Sequence, residues 1–468
     1  MHLSPSYEDA IKHFKEKIAF GECFDILAHT LSVGNGEVTF FYIDGFVKDA
    51  QLEKLMGVLI NEKTLAAREE FVRRLPQIEV STVTDEHDAV HALLCGQTVL
   101  FSSSFVGECL LLDLRTYPTR SIQEPESDRV MQGARDGFVE TLIFNTVLVR
   151  RRLRDPRLRM KHFTVGGSSG TDVVLCYMDG VAKSGLVRDV EKKLRTIRPK
   201  TLTLGFQSLA ECFLRRGWLN PFPKMRSTER PDTAAAELAE GAVLVLCDTS
   251  PQAMILPTSA FDYLQQTDDF YFPPLTGTYL RLVRTLIFLL SVVATPLWML
   301  AIQYQQLLPP SLSFIIPEEA ALPLLVQLLL VEVAIDGLKI ASLNTPNTLS
   351  SSLSIIGGLI LGDFAVGVGW LTQDVILYMA FVAVATFAGQ NPELGYALKF
   401  VRILSLLLTA AFGIYGFVGS MLVFVILLIS NRTATGRNYL YPLIPFDPKA
   451  LWRLFVRVPK YDFEDTES

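Results

Sequence analysis

The chain is poor in the side chains from which metal and redox centres are built. Only six of its 468 residues are cysteine (Cys23, Cys95, Cys109, Cys176, Cys212, Cys247), and no two form a CxxC pair. Thiols scattered in this way read as reduced, mostly buried side chains in a reducing compartment, not as a disulfide framework. All six histidines lie at or before His162, with no HExxH or paired His/Cys spacing, so a zinc site is not expected. There is no Walker motif, so the chain does not itself drive transport with ATP. GGSSG at Gly166–Gly170 is glycine-rich but is not followed by the Lys-Ser/Thr of a P-loop, and it reads as a loop before the second of two repeated units. Asp44 and Asp179 sit in Tyr-x-Asp-Gly turns, where Asp is a good turn residue, and nothing assembles a triad. No enzymatic activity and no cofactor are expected. The formal charge of −6 argues against nucleic acid as a partner. Met1 to Phe20 alternates charge without an apolar run, so no signal peptide is expected and the first half belongs in the cytoplasm.

Charge is the other scarcity, and it is local. From Thr285 to Ser430 there are only ten charged residues among long apolar runs, whereas the preceding sequence is ordinary water-soluble protein. TLIFLLSVVATPLWMLAIQY (Thr285–Tyr304) matches the roughly 20 residues that cross a hydrocarbon core of about 30 Å. Further candidate spans are Leu353–Leu371, Val375–Ala388 and Ile403–Ile429, the last either one strongly tilted helix or a helix broken near Gly413, Gly416 and Gly419. Leu322–Ile335 is short for a span, and re-entrant, interfacial and buried pore readings stay open. Arg281 and Arg284 precede the first span and Arg432, Arg437, Lys449, Arg453 and Arg457 follow the last, so both termini are expected inside after an even number of crossings. Arg281 and Arg284 are the candidate membrane-interface residues, placed to snorkel to headgroups.

Polar residues within an apolar domain are where function is sought, because a charge facing lipid is costly. Glu332 and Asp336, four apart, share one helical face. Together with Asn344 and Asp363 they are the candidate pore residues. A local salt bridge between Asp336 and Lys339 is the structural alternative. Repeated around an oligomer axis, Glu332 and Asp336 would instead form acidic rings that favour cations.

The soluble half contains an internal repeat. VTFFYIDGFVKDAQLEKL (Val38–Leu55) and VVLCYMDGVAKSGLVRDVEKKL (Val173–Leu194) each run strand, Tyr-x-Asp-Gly, charged amphipathic helix. HALLCGQTVLF (His91–Phe101) and AELAEGAVLVLCD (Ala236–Asp248) each run helix, Gly stop, buried strand. The expected fold class is therefore an α/β cytoplasmic region of two similar subdomains followed by an all-α helical transmembrane domain. The segments are 1–120, a helical linker 121–160, 161–275, the membrane domain 276–432 and a cytoplasmic tail 433–468. For the Arg-rich linker end (Arg150, Arg151, Arg152, Arg154), a solvated helix end, acidic headgroups, a neighbouring subunit and, as a minor option, nucleic acid all stay open.

GARDGFVETLIFNTVLVRRRLRDPRL from Gly133, NPFPKMRSTERPD from Asn220, GAVLVLCDTSPQAMILPTSAFDYLQQTDDFY from Gly241 and SIIGGLILGDFAVGVG from Ser354 together resemble the A subunits of the GerA family of spore germination proteins. The resemblance spans nearly the whole chain. It implies a multi-pass protein of the inner spore membrane, forming homo-oligomers, pentamers in the family's implied arrangement, whose membrane domains release cations early in germination. IDGLKIASLNTP (Ile335–Pro346) departs from the REAGLRLP-like sequence of nutrient-receptor A subunits. That departure implies a role in amplifying germination with another germination membrane protein as partner. The competing class is a non-conducting membrane scaffold or sensor; a carboxylate-coupled transporter is a third reading.

Overall fold

The computed structural model describes residues 2–76, 79–116, 128, 130–213, 220–344, 355, 357–387, 391–431, 433 and 438–457. The chain divides into two compact units. One holds Met1–Arg215 and Met225–Thr258, the other Arg216–Lys224 and Ser259–Ser468.

The first unit is a structural duplication. After helix α1 (Tyr7–Lys17), strands β1 (Ile26–Val33), β2 (Gly36–Ile43), β3 (Val80–Val83), β4 (Thr98–Ser102) and β5 (Phe105–Leu112) form a sheet of order β1-β2-β4-β5-β3. Strands β6 (Leu158–Val165), β7 (Thr171–Met178), β8 (Arg226–Thr228), β9 (Val243–Cys247) and β10 (Ala253–Leu256) repeat it as β6-β7-β9-β10-β8. Every neighbouring pair is antiparallel. The Tyr-x-Asp-Gly motifs end β2 and β7, and Gly45 and Gly180 take φ of +81° and +78°, which a side chain would strain. Helices α2 (Asp49–Ile60) and α6 (Ser184–Thr196) follow, and α3 is Arg68–Arg74. Helices α4 (Glu86–Leu94) and α8 (Pro231–Ala239) stop at the left-handed Gly96 and Gly241 before β4 and β9. Between α6 and α8 lies α7 (Phe206–Phe213). GGSSG is the hairpin turn between β6 and β7, so each repeat begins one strand earlier than the motif alone suggests.

The first sheet is covered on both faces. Phe41, Val99 and Cys109 point into a cluster with Phe14 and Leu93, and their neighbours Phe40, Leu100 and Leu110 into one with Leu52 and Leu55. Alternate residues of a strand face opposite sides, which is why VTFFYI reads as continuous hydrophobicity. Helix α5 (Leu142–Arg152) joins the two halves, placing Val147 in the first core and Leu142, Leu148 and Val149 in the second.

The second unit is helical: α9 (Asp268–Tyr271), α10 (Pro274–Gln303), α11 (Leu324–Asn344), α12 (Gln373–Phe387), α13 (Pro392–Ser430) and α14 (Pro448–Phe455), with a π-helical turn at Ile360–Phe364. Two of these, α10 and α13, are long and apolar enough to cross a membrane. Part of the candidate span Leu353–Leu371 lies outside the described residues, as does Ala388 at the end of Val375–Ala388. The short apolar run Leu322–Ile335 belongs to a longer helix, α11, which continues through Asp336 and Lys339 to Asn344.

Of the two forms open for Ile403–Ile429, the structure takes the broken one. Gly413 leaves helical geometry at φ +57° and ψ −132°. The hydroxyls of Ser405 and Ser420 are 2.8 Å apart, whereas 15 residues of straight helix span about 22 Å. The arms 392–412 and 414–430 therefore fold back on one another. Gly416 makes this possible, since a Cβ there would overlap the carbonyl oxygen of Leu408.

Candidate functional site: buried charges of the helical unit

Glu332 and Asp336 stand one turn apart on α11, and facing them on the first arm of α13 are Lys399 and Arg402, three apart. Arg402 Nε donates to Glu332 Oε1 at 2.5 Å, and Lys399 Nζ lies 3.3 Å from Glu332 Oε2 and 2.5 Å from Asp336 Oδ2. Lys399 Nζ also donates to the Glu332 carbonyl at 3.0 Å, and Arg402 Nη1 to that of Ser291 on α10 at 2.9 Å. Glu332 and Arg402 are each 2% exposed, whereas the Asp336 side chain keeps 34% of its surface. Buried charges persist only when paired and hydrogen-bonded, and here two anions meet two cations, with Glu332 gripped from both sides.

The partner of Asp336 is thus Lys399, not Lys339, whose ammonium sits over the Tyr396 ring at 4.8 Å. Sequence spacing favours the near neighbour, whereas helix packing brings in the residue 63 positions later. Lys399 and Arg402 are the residues that sequence reasoning missed. The signal was present, since they are the two cations besides Lys339 among the ten charges of the apolar half. The other two candidates stay outside the cluster. Asn344 is exposed and donates back to the Ile340 carbonyl at 3.1 Å, and Asp363 is exposed on the π-helical turn.

Arg281 and Arg284 turn inward instead of reaching outward. Both converge on Asp269, which is 0% exposed: Arg284 holds both carboxylate oxygens at 3.0 and 3.1 Å, and Arg281 Nε reaches Oδ2 at 3.3 Å. Arg284 Nη1 also donates to the Leu264 carbonyl, and Arg281 Nη1 to the carbonyls of Arg453 and Leu454 in α14. Headgroup snorkelling is therefore corrected to a buried two-arginine clamp, because a carboxylate at α9 offers a stronger partner than water at the helix mouth.

The Arg-rich end of α5 is likewise structural. Arg150 is fully buried, with its guanidinium on both oxygens of Asp25 at 3.0 and 3.1 Å and on the Leu158 carbonyl at 3.2 Å. Arg152 grips Asp136 and Arg154 reaches Cys95 Sγ. Burial pushes the thiols of Cys109 and Cys247 up to about 12, keeping both neutral.

The family model described as Bacillus/Clostridium GerA spore germination protein matches residues 12–467. The chain belongs to the GerA family of spore germination proteins. It is 35% identical over 457 residues to stage V sporulation protein AF of Bacillus subtilis (strain 168), covering 96% of this chain and 92% of that protein. Spore germination protein KA of the same organism is 27% identical over 470 residues, with coverage of 98% and 85%. Among solved structures, the N-terminal domain of the A subunit of the Bacillus megaterium germinant receptor GerK3 aligns with a TM-score of 0.40 at 23% identity. It covers 55% of this chain and 96% of that one. In this GerA-family chain the α/β first unit with two antiparallel sheets precedes the helical second unit.

Proposed function

We propose that this GerA-family chain is a membrane subunit of spore germination that assembles with copies of itself and promotes cation release across the inner spore membrane. The observation that carries this reading is the charge cluster inside the apolar helical unit, with Asp336 at its exposed edge. Intramembrane ionisable groups that face protein or water mark ion and proton pathways. α10 and the two arms of α13 supply lipid-facing surface through exposed residues such as Leu286, Leu289, Phe400, Tyr415 and Ile426. In this reading Tyr304 and the Gly413 turn share one side of the membrane and both termini lie on the other, in the cytoplasm, after an even number of crossings. Asp336 and Asn344 are the residues left to face a shared axis, and another germination membrane protein is the further partner.

The test compares Glu332→Gln and Asp336→Asn with the parent chain in ion-flux measurements on proteoliposomes and in early cation release from spores. Reduced or altered flux at normal protein level is expected. A second reading, a non-conducting scaffold or sensor for other germination proteins, draws on the pairing of all four cluster charges within one chain. Full flux with changed assembly or abundance would favour it.

A further inference from the structure

A polar stripe runs on from the charge cluster through the seam between α10 and the α13 hairpin. Ser291 and Thr295 are one turn apart on α10, Ser405 and Thr409 one turn apart on the first arm, and Ser420 lies on the second arm; all five are buried. Two cross-links set the register. Arg402 donates to the Ser291 carbonyl, and farther along both helices Gln303 Nε2 donates to the Thr409 carbonyl at 3.2 Å, so α10 and the first arm run parallel with Thr295 and Thr409 within the cross-linked stretch. The serines are satisfied: Ser405 and Ser420 bond each other, and Ser291 bonds the Phe288 carbonyl. The hydroxyls of Thr295 and Thr409 are not. Both residues are 0% exposed, and neither oxygen has a hydrogen-bond partner among the described residues. Threonine in a helix ordinarily bonds back to its own preceding turn. Two buried hydroxyls that do neither, beside a carbonyl-rich seam, call for a third party that both donates and accepts, and water does so.

The ends of the stripe reach the surface. At one end it meets Arg402, Glu332, Lys399 and the one-third exposed Asp336. At the other it meets Gln303 and the exposed Tyr304, whose hydroxyl lies at the Gly413 turn, 2.8 Å from where a Cβ would stand. We propose that this seam holds water bonded to Thr295 and Thr409, and that it is a track inside each chain along which protons pass between Asp336 and Tyr304. The hairpin is too closely packed, with Gly416 against the Leu408 backbone, to admit a hydrated metal cation, whereas hydroxyls and single waters relay protons without such space. The inference rests on the conduction reading above and assigns its cation as the proton.

The experiment uses the full chain, with Thr295→Val and Thr409→Val removing each hydroxyl at constant shape and Thr295→Ser and Thr409→Ser retaining it. Removing a hydroxyl that binds water loses its hydrogen bonds, whereas removing one that is merely unsatisfied is favourable, so the sign of the stability change reports hydration. The expected result is a Tm lower by roughly 2–4 °C for each Val variant. Proton flux into proteoliposomes, read by a pH-sensitive dye, should fall about tenfold, with both properties near the parent values in the Ser variants. A raised Tm in the Val variants would mean a dry seam and overturn the proposal, as would unchanged proton flux. A parent chain that carries Rb⁺ but no protons overturns this inference while upholding the conduction reading; one that carries neither overturns both.

Discussion

Single residues in this protein are held by partners far away in sequence. Arg150 closes an Arg-rich helix end that reads as a solvated terminus, yet its guanidinium is fully buried on Asp25, 125 positions earlier. The same separation hides the choice of Lys399 over Lys339 for Asp336, since a sequence displays only its local spacings. Removing one member of a buried pair strands the other charge. Asp25→Ala is therefore expected to destabilise the first unit by about 3–5 kcal/mol, and Asp25→Asn, which keeps an acceptor, by less. Arg157→Ala, whose partner Asp155 is a surface neighbour, should cost no more than about 1 kcal/mol. Thermal unfolding of the purified chain ranks the three. Equal losses for Asp25→Ala and Arg157→Ala would show that the buried pair contributes no more than a surface one.

At the level of elements, composition was a good guide wherever a glycine carried geometry. The Tyr-x-Asp-Gly motifs, the Gly stops after α4 and α8 and the glycine-rich break in the last apolar run all occur as turns. Which of Gly413, Gly416 and Gly419 does what was not legible, because the distinction depends on what each glycine faces. Gly413 supplies the left-handed conformation, Gly416 the close approach of the two arms, and Gly419 has open space around it. Gly416→Ala should accordingly separate the arms and break the Ser405–Ser420 bond, lowering the yield of folded protein severely, while Gly419→Ala is tolerated. Size-exclusion profiles and protease resistance in detergent compare the two. A well-folded Gly416→Ala protein would contradict the hairpin.

For the molecule as a whole, the repeat was visible in the sequence as two matched motifs, but the five-stranded sheets were not, because β1 and β6 lack the marker residues and their antiparallel pairing depends on partners across the sheet. Each sheet has its own buried cores, built from residues that precede the apolar half. A fragment of residues 1–258 is thus expected to be monodisperse without detergent and to unfold cooperatively by circular dichroism. Recovery only as aggregate would show that it depends on the rest of the chain.

The clamp on Asp269 also sets an order of events during synthesis. Arg281 enters the first long apolar helix early, but two of its acceptors are the carbonyls of Arg453 and Leu454, made some 170 residues later. Arg457, close behind them, donates to the carbonyls of Phe270 and Phe272 beside the same carboxylate. Until the ribosome has released that last helix, the root of the first one is incompletely bonded. A chain cut short before α14 therefore leaves donors unmatched at Arg281, and the quality-control proteases of the forespore would meet that defect at the very segment where the second unit begins.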